Sequence, residues 1–277
     1  MNVPLTGNIK VPVTKETIIA GLRHLGVKPG HMVLVHSSLS SFGHVEGGAA
    51  TVVDALLEVV TADGTVMMPT FTHNHHIVFD PRTTASVSGA ITNELRRRPE
   101  AHRSLHPTHA YAAIGRQAQW LVSNHQEATT FGPASPLGKL CRAGGDVILM
   151  GVGMNRATAM HLGEMLAGAA CLGERTIPCR CIDPRSNKEI IVWADAFRSR
   201  QCPAGDDREI TRRLQQKGLW REVTIGQAKV ACIKGWDIVE EYRRLLTAGW
   251  NGHPGCRLCE VKPHTVESLS SKRRSLR

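Results

Sequence analysis

The sequence has no apolar run of the roughly 18 or more residues that a membrane-spanning helix needs. Its start, MNVPLTGNIKVPVTKET, lacks the continuous apolar core of a signal peptide. A cytoplasmic protein is the expectation. Aromatic residues make up only 4% of the 277 positions, which weakens any picture of nucleic-acid bases stacking on exposed rings. There is no internal repeat and no Pro/Ser-rich linker, which argues against a solenoid or a beads-on-a-string chain. Neither GxxxxGKS/T nor GxGxxG occurs, so a nucleoside triphosphatase or dinucleotide-binding reading has no support. The eight cysteines are spread through a medium-sized chain rather than packed as in a small secreted domain, and they read as reduced thiols.

What is abundant is positive charge. The net charge of +10 calls for an anionic partner, either nucleic acid or the phosphates of a small molecule. Part of it is terminal: Lys262, Lys272, Arg273, Arg274 and Arg277 against Glu267 make 262–277 read as a basic, flexible tail behind a domain spanning 1–261.

Hydrophobic periodicity predicts an α/β chain, a single domain on a mixed, largely parallel central sheet flanked by helices. A helix is expected over 14–25, with Thr14 as N-cap and Ile18, Ile19, Leu22 and Leu25 on one face. A buried strand at 32–35, a helix opened by Gly47-Gly48 and a strand at 65–69 then form the unit that builds parallel sheets. Further strands are expected at 146–151, 189–193 and 228–233. Helices are expected at 89–98, 116–125, 158–169, 209–217 and 236–246. The stretch 70–88 has no clear period, and long irregular segments in compact domains are usually functional.

Polar clusters follow several strands, where open α/β sheets place their ligands. His36-Ser37-Ser38-Leu39-Ser40-Ser41-Phe42-Gly43 is either a phosphate-holding loop, especially with a helix N-terminus nearby, or an ordinary Ser-rich turn. The segment 103–109 is held extended at His106 by Pro107 and is either a functional or a plain surface loop. Phe131-Gly132-Pro133-Ala134-Ser135-Pro136 reads as a rigid turn. On a helix, His161 and Glu164 are three residues apart and share a face, so a carboxylate can orient an imidazole and raise its basicity, as a general base requires. His73, His75 and His76 lack the carboxylate spacing of a metal site and read as a polar or substrate-facing loop. Cys179, Cys181, Cys256 and Cys259 could form a zinc tetrathiolate, and the sequence does not decide it; no metal is required for the chemistry expected below.

In order, VHSSLSSFG, GTVMMPTFT, RSLHPTHAYAAIG, FGPASPLGKL, GVGMNRATAMHLGE and the later IGQAKVACIKGWDIVE resemble the aminoglycoside 3-N-acetyltransferase family, over about residues 14–247. The resemblance implies an α/β fold distinct from the common GNAT acetyltransferases, acetyl-coenzyme A as co-substrate, and direct acetyl transfer to the 3-amino group of a 2-deoxystreptamine aminoglycoside. It implies that His161 deprotonates the amine with Glu164 orienting it, and that Thr72 helps to stabilise the oxyanion. It implies that His36, Ser37, Ser38, Leu39, Ser40, Arg103 and Ser104 contact coenzyme A, and that Asp80, Asp206 and Asp207 bind the cationic substrate. The expected partner is a small-molecule amine, with no nucleic acid or membrane, and the chain is a monomer or homodimer. The rivals are a different amine acceptor, a catalytically silent coenzyme A-binding relative, and a basic nucleic-acid-binding protein favoured by charge alone.

Overall fold

The computed structural model describes residues 12–168, 175–196 and 207–247. Its first element is the helix α1 (Lys15–His24), whose start is fixed by Thr14: the side-chain oxygen accepts from the backbone N–H of Thr17 at 3.3 Å. Ile18, Ile19 and Leu22 give it one buried face. The strand β1 (Met32–Ser37), helix α2 (Gly48–Val60) and strand β2 (Thr65–Pro69) follow, and β1 and β2 pair in parallel with Met32 opposite Thr65.

After the long segment comes α3 (Ala90–Arg97), then β3 (His102–Arg103), β4 (Tyr111–Gly115), α4 (Ala118–Val122) and α5 (Pro136–Arg142). Next are β5 (Asp146–Met150), α6 (Ala159–Ala167), and a hairpin of β6 (Arg175–Ile182) with β7 (Glu189–Ala196). The chain continues through α7 (Asp207–Gln216), β8 (Arg221–Ile225), β9 (Ala228–Lys234) and α8 (Gly235–Thr247). Seven strands form one sheet in the order β3-β4-β2-β1-β5-β9-β8. The sheet is mixed, as expected, but its parallel part is narrow: β1 is parallel to β2 and to β5, whereas β4, β3, β9 and β8 join antiparallel.

Strand alternation divides the interior in two. In β1, Val33 and Val35 face one core and Leu34 the other; in β5, Ile148 and Met150 share the first core and Val147 and Leu149 the second. The first core is closed by Ile18 and Leu22 of α1, Val52 and Leu56 of α2, and Ile91 of α3. The second is closed by Leu137 of α5, Leu162 and Leu166 of α6, and Ile238 and Tyr242 of α8.

The strands missed by periodicity are those whose pattern is disguised. In β4, Ala112 and Ala113 are small, and in β8, Arg-Glu-Val-Thr-Ile sits half exposed at the sheet edge. The segment 131–136 is more than a turn, since Ser135 caps α5 by accepting from the backbone N–H of Gly138 at 3.2 Å, with Pro136 in the first helical position. The helix expected over 116–125 shortens to α4 and is followed by a single 3-10 turn at His125–Glu127. Among the described residues no helix is long and apolar enough to cross a membrane.

Candidate active site

β1 lies between two parallel neighbours reached by separate connections, which leaves a crevice beyond the carboxyl ends of the central strands. A cleft of about 1130 Å³ opens there. Its walls include His36, Ser37, Ser38, Leu39 and Ser40 after β1, Pro69 and Phe71 after β2, and Gly151, Val152, Asn155 and Arg156 after β5. Gly48, the first residue of α2, and Ala90, the first of α3, also line it, so two helix N-termini without a side-chain cap border the Ser-rich loop. Gly151 is required at the base: its φ is +69°, and a Cβ there would lie 2.4 Å from that of Ser41.

His161, in the first turn of α6, lines the same cleft with 42% of its side chain exposed, and its Nδ1 is 2.7 Å from Glu164 Oε2. Glu164 is buried, and its other oxygen accepts from the hydroxyl of Tyr242 on α8 at 3.4 Å. Burial in the cleft wall disfavours the charged imidazole, but the Glu164 charge and hydrogen bond outweigh it and raise the pKa of His161 above its ordinary 6.5. With a carboxylate accepting from Nδ1–H, the lone pair of the neutral ring sits on Nε2. Phe131 stacks on the imidazole, with ring centroids 4.7 Å apart and planes at 28°.

Four expected site residues are placed elsewhere. Arg103 is not in the cleft wall: its guanidinium donates to the Thr70 hydroxyl at 2.9 Å and to the carbonyls of Thr70 at 2.8 Å and Thr84 at 2.5 Å, and lies over the Phe79 ring. It ties down the 70–88 segment. Ser104 is buried, paired with His125 Nδ1 at 2.9 Å and accepting from the backbone N–H of Tyr111 at 2.9 Å. The Thr72 hydroxyl donates to the Pro107 carbonyl at 2.7 Å, which occupies the proton an oxyanion donor would use. Asp80 is off the cleft in a bidentate pair with Arg82, which holds its carboxyl below the usual range. Asp206 lies outside the described residues, and Asp207 enters as the first residue of α7.

The cleft also contains residues that sequence reasoning did not assign to it: Phe71, Ser88, Gly89, Asn155, Arg156 and Thr158. Asn155, Arg156 and Thr158 fall within the motif GVGMNRATAMHLGE, and the unpatterned length of 70–88 was the signal for Phe71, Ser88 and the adjoining Gly89. His73 does face the cleft, in a left-handed conformation with φ of 50°, and burial lowers its pKa. Cys179 and Cys181 are buried in β6, while Cys256 and Cys259 lie outside the described residues. Among the described residues no group of three or more His, Cys, Asp or Glu side chains is arranged to hold a metal, and no cysteine lines the cleft.

The arrangement is an imidazole paired with a buried carboxylate, on one wall of a cleft whose other wall offers hydroxyls and helix N-termini. Residues 34–247 match the family described as aminoglycoside 3-N-acetyltransferase. Aminoglycoside N(3)-acetyltransferase IV of Salmonella sp is 32% identical over 227 residues, covering 81% of this chain and 84% of the relative. Aminoglycoside N(3)-acetyltransferase VII of Streptomyces paromomycinus is 34% identical over 260 residues, covering 83% and 90%. A crystal structure of aminoglycoside acetyltransferase AAC(3)-IVa in complex with apramycin superposes with a TM-score of 0.75 at 30% identity, over 91% of this chain and all of that one. This chain belongs to the aminoglycoside 3-N-acetyltransferase family, a family of acyltransferases.

Proposed function

We propose that this protein transfers acetyl from acetyl-coenzyme A directly to the 3-amino group of a 2-deoxystreptamine aminoglycoside, with His161 as general base. The observation that carries the reading is the 2.7 Å pair of His161 and Glu164 at the wall of the large cleft. An alkylammonium has no lone pair and must lose a proton before it attacks a thioester. Nε2 of His161 takes that proton, and Glu164 stabilises the resulting imidazolium. The amine nitrogen then bonds to the acetyl carbonyl carbon and the C–S bond breaks; the leaving thiolate takes the proton held on His161, and the second proton of the acylated nitrogen passes through the freed Nε2 to solvent.

The opposite wall suits the other substrate. Ser37, Ser38 and Ser40, the N-termini of α2 and α3, and Arg156 supply donors and positive potential for the pantetheine and phosphates of coenzyme A, and Leu39 gives an apolar contact. A covalent acetyl-cysteine route has no support among the described residues, because burial pushes the thiols of Cys141, Cys181 and Cys232 up to about 12. The relatives' names point to an aminoglycoside acceptor. A polycation needs carboxylates, and Asp206 and Asp207 are the proposed contacts, Asp80 being engaged by Arg82.

A second reading, a less cationic amine as acceptor, is favoured by one observation: among the described residues lining the cleft there is no Asp or Glu. Thiol release from acetyl-coenzyme A across a panel of aminoglycosides and simple amines, with mass-spectrometric mapping of the product, tests both. Acetylation of the 3-amino group is the expected result. Turnover confined to other amines establishes the second reading, and coenzyme A binding without turnover of any amine sinks both.

A further inference from the structure

Thr158 stands at the N-cap of α6, where a hydroxyl ordinarily accepts from a backbone N–H of the first turn, yet its side chain makes no such bond. The hydroxyl instead accepts from Tyr111 O–H at 3.2 Å and lies 3.4 Å from Nε2 of His36. The backbone N–H of Thr158 donates to that same Nε2, also at 3.4 Å. The helix that bears His161 is therefore capped from across the cleft by an imidazole at the end of β1, 122 residues away in the chain. The next link is short, since the Thr158 carbonyl accepts from the backbone N–H of His161 at 3.0 Å.

A ring nitrogen that accepts a hydrogen bond carries no proton, so the single proton of neutral His36 resides on Nδ1. Burial, with the nearby charge of His161, lowers its pKa to about 3, which keeps the ring an acceptor at any working pH. The ionisable groups that share the cleft with it are His44, His73, Arg156 and His161, and Tyr111 stands behind Thr158. Cationic His36 would lose its lone pair at Nε2 and set a second positive charge against a protonated His161.

We propose that His36 is a positioning residue: as the Nδ1-protonated tautomer, held with the Tyr111–Thr158 pair, it fixes the first turn of α6 and so aims His161 into the cleft. This rests on the reading of His161 as the base. It differs from the role in cofactor contact expected of His36 by family resemblance, because the ring nitrogen is turned toward Thr158.

Two substitutions separate the functions of the ring. His36→Gln keeps an acceptor oxygen that reaches about as far as Nε2, and His36→Met keeps bulk without an acceptor. We expect His36→Met to lose about tenfold in kcat, since small misplacements of a catalytic group are costly, with KM for acetyl-coenzyme A changed by less than about twofold. The acidic limb of its pH profile should move to lower pH as the imidazole drifts from Glu164. His36→Gln should recover most of kcat and the wild-type limb. If His36→Met keeps wild-type kcat and pH profile, or if both variants raise KM for acetyl-coenzyme A equally, the proposal is overturned. If His36→Met fails to fold, Thr158→Val carries the test: it removes the hydroxyl from the link and should shift the limb in the same direction, and an unmoved limb counts against the proposal. A His161→Ala control that retains wild-type turnover defeats the reading of His161 itself, whatever the His36 variants do.

Discussion

Two Ser- and His-bearing segments, 36–43 and 103–109, look alike in composition and have opposite fates. In the first, among the described residues, the Ser38 and Ser40 hydroxyls meet only each other, at 3.2 Å, and the segment forms the open wall of the cleft. In the second the polar atoms are engaged inside the protein: Arg103 with four main-chain and side-chain groups of 70–84, Ser104 with His125 and Tyr111, and His106 with Thr130 and the His109 backbone. The difference teaches that a polar motif after a strand marks a ligand site only where its hydrogen-bonding capacity is left over after folding.

The largest expected effect belongs to neither segment but to His161, the proposed base. His161→Ala should lower kcat/KM by about 10³-fold, in the range of general-base losses, with an unchanged melting temperature. Arg103→Met should destabilise the fold by about 2–4 kcal/mol, because it strands buried carbonyls, while the folded fraction keeps its KM for acetyl-coenzyme A. A raised KM at unchanged stability would break the comparison and return Arg103 to the cofactor. The double variant Ser38→Ala with Ser40→Ala should do the reverse, raising that KM by about tenfold through lost hydrogen bonds to a charged ligand and leaving the melting curve in place.

The smallest effect is a shift rather than a loss. On the proposed chemistry the reacting form carries neutral His161, whose pKa is raised, so kcat/KM should climb with pH through a midpoint above 6.5. Glu164→Gln removes the carboxylate and leaves burial acting alone, and the midpoint should fall below that value; an unmoved limb would show that another group controls it.

The sequence made legible what is local. Thr14 as a cap, the apolar strands β1 and β5, and the three-residue step from His161 to Glu164 follow from the pattern along one element. The partners of Arg103 were not legible, because Thr70 and Thr84 come from an aperiodic loop and Ser104 meets His125 only through the sheet. For the same reason Thr158 reads in sequence only as the start of the helix expected over 158–169, and the imidazole it meets is 122 positions away. β4 went unread because alanines at 112 and 113 carry no signature of burial, although both are fully enclosed.

The stack of Phe131 on His161 has a directional consequence. One edge of the imidazole is bound to Glu164 and one face is covered by an aromatic ring, so an incoming amine has a narrow approach to Nε2. On the proposed chemistry, that shielding acts on regiochemistry: among several amines on one rigid sugar scaffold, the one that meets the uncovered edge would be acylated, whatever the relative basicity of the rest.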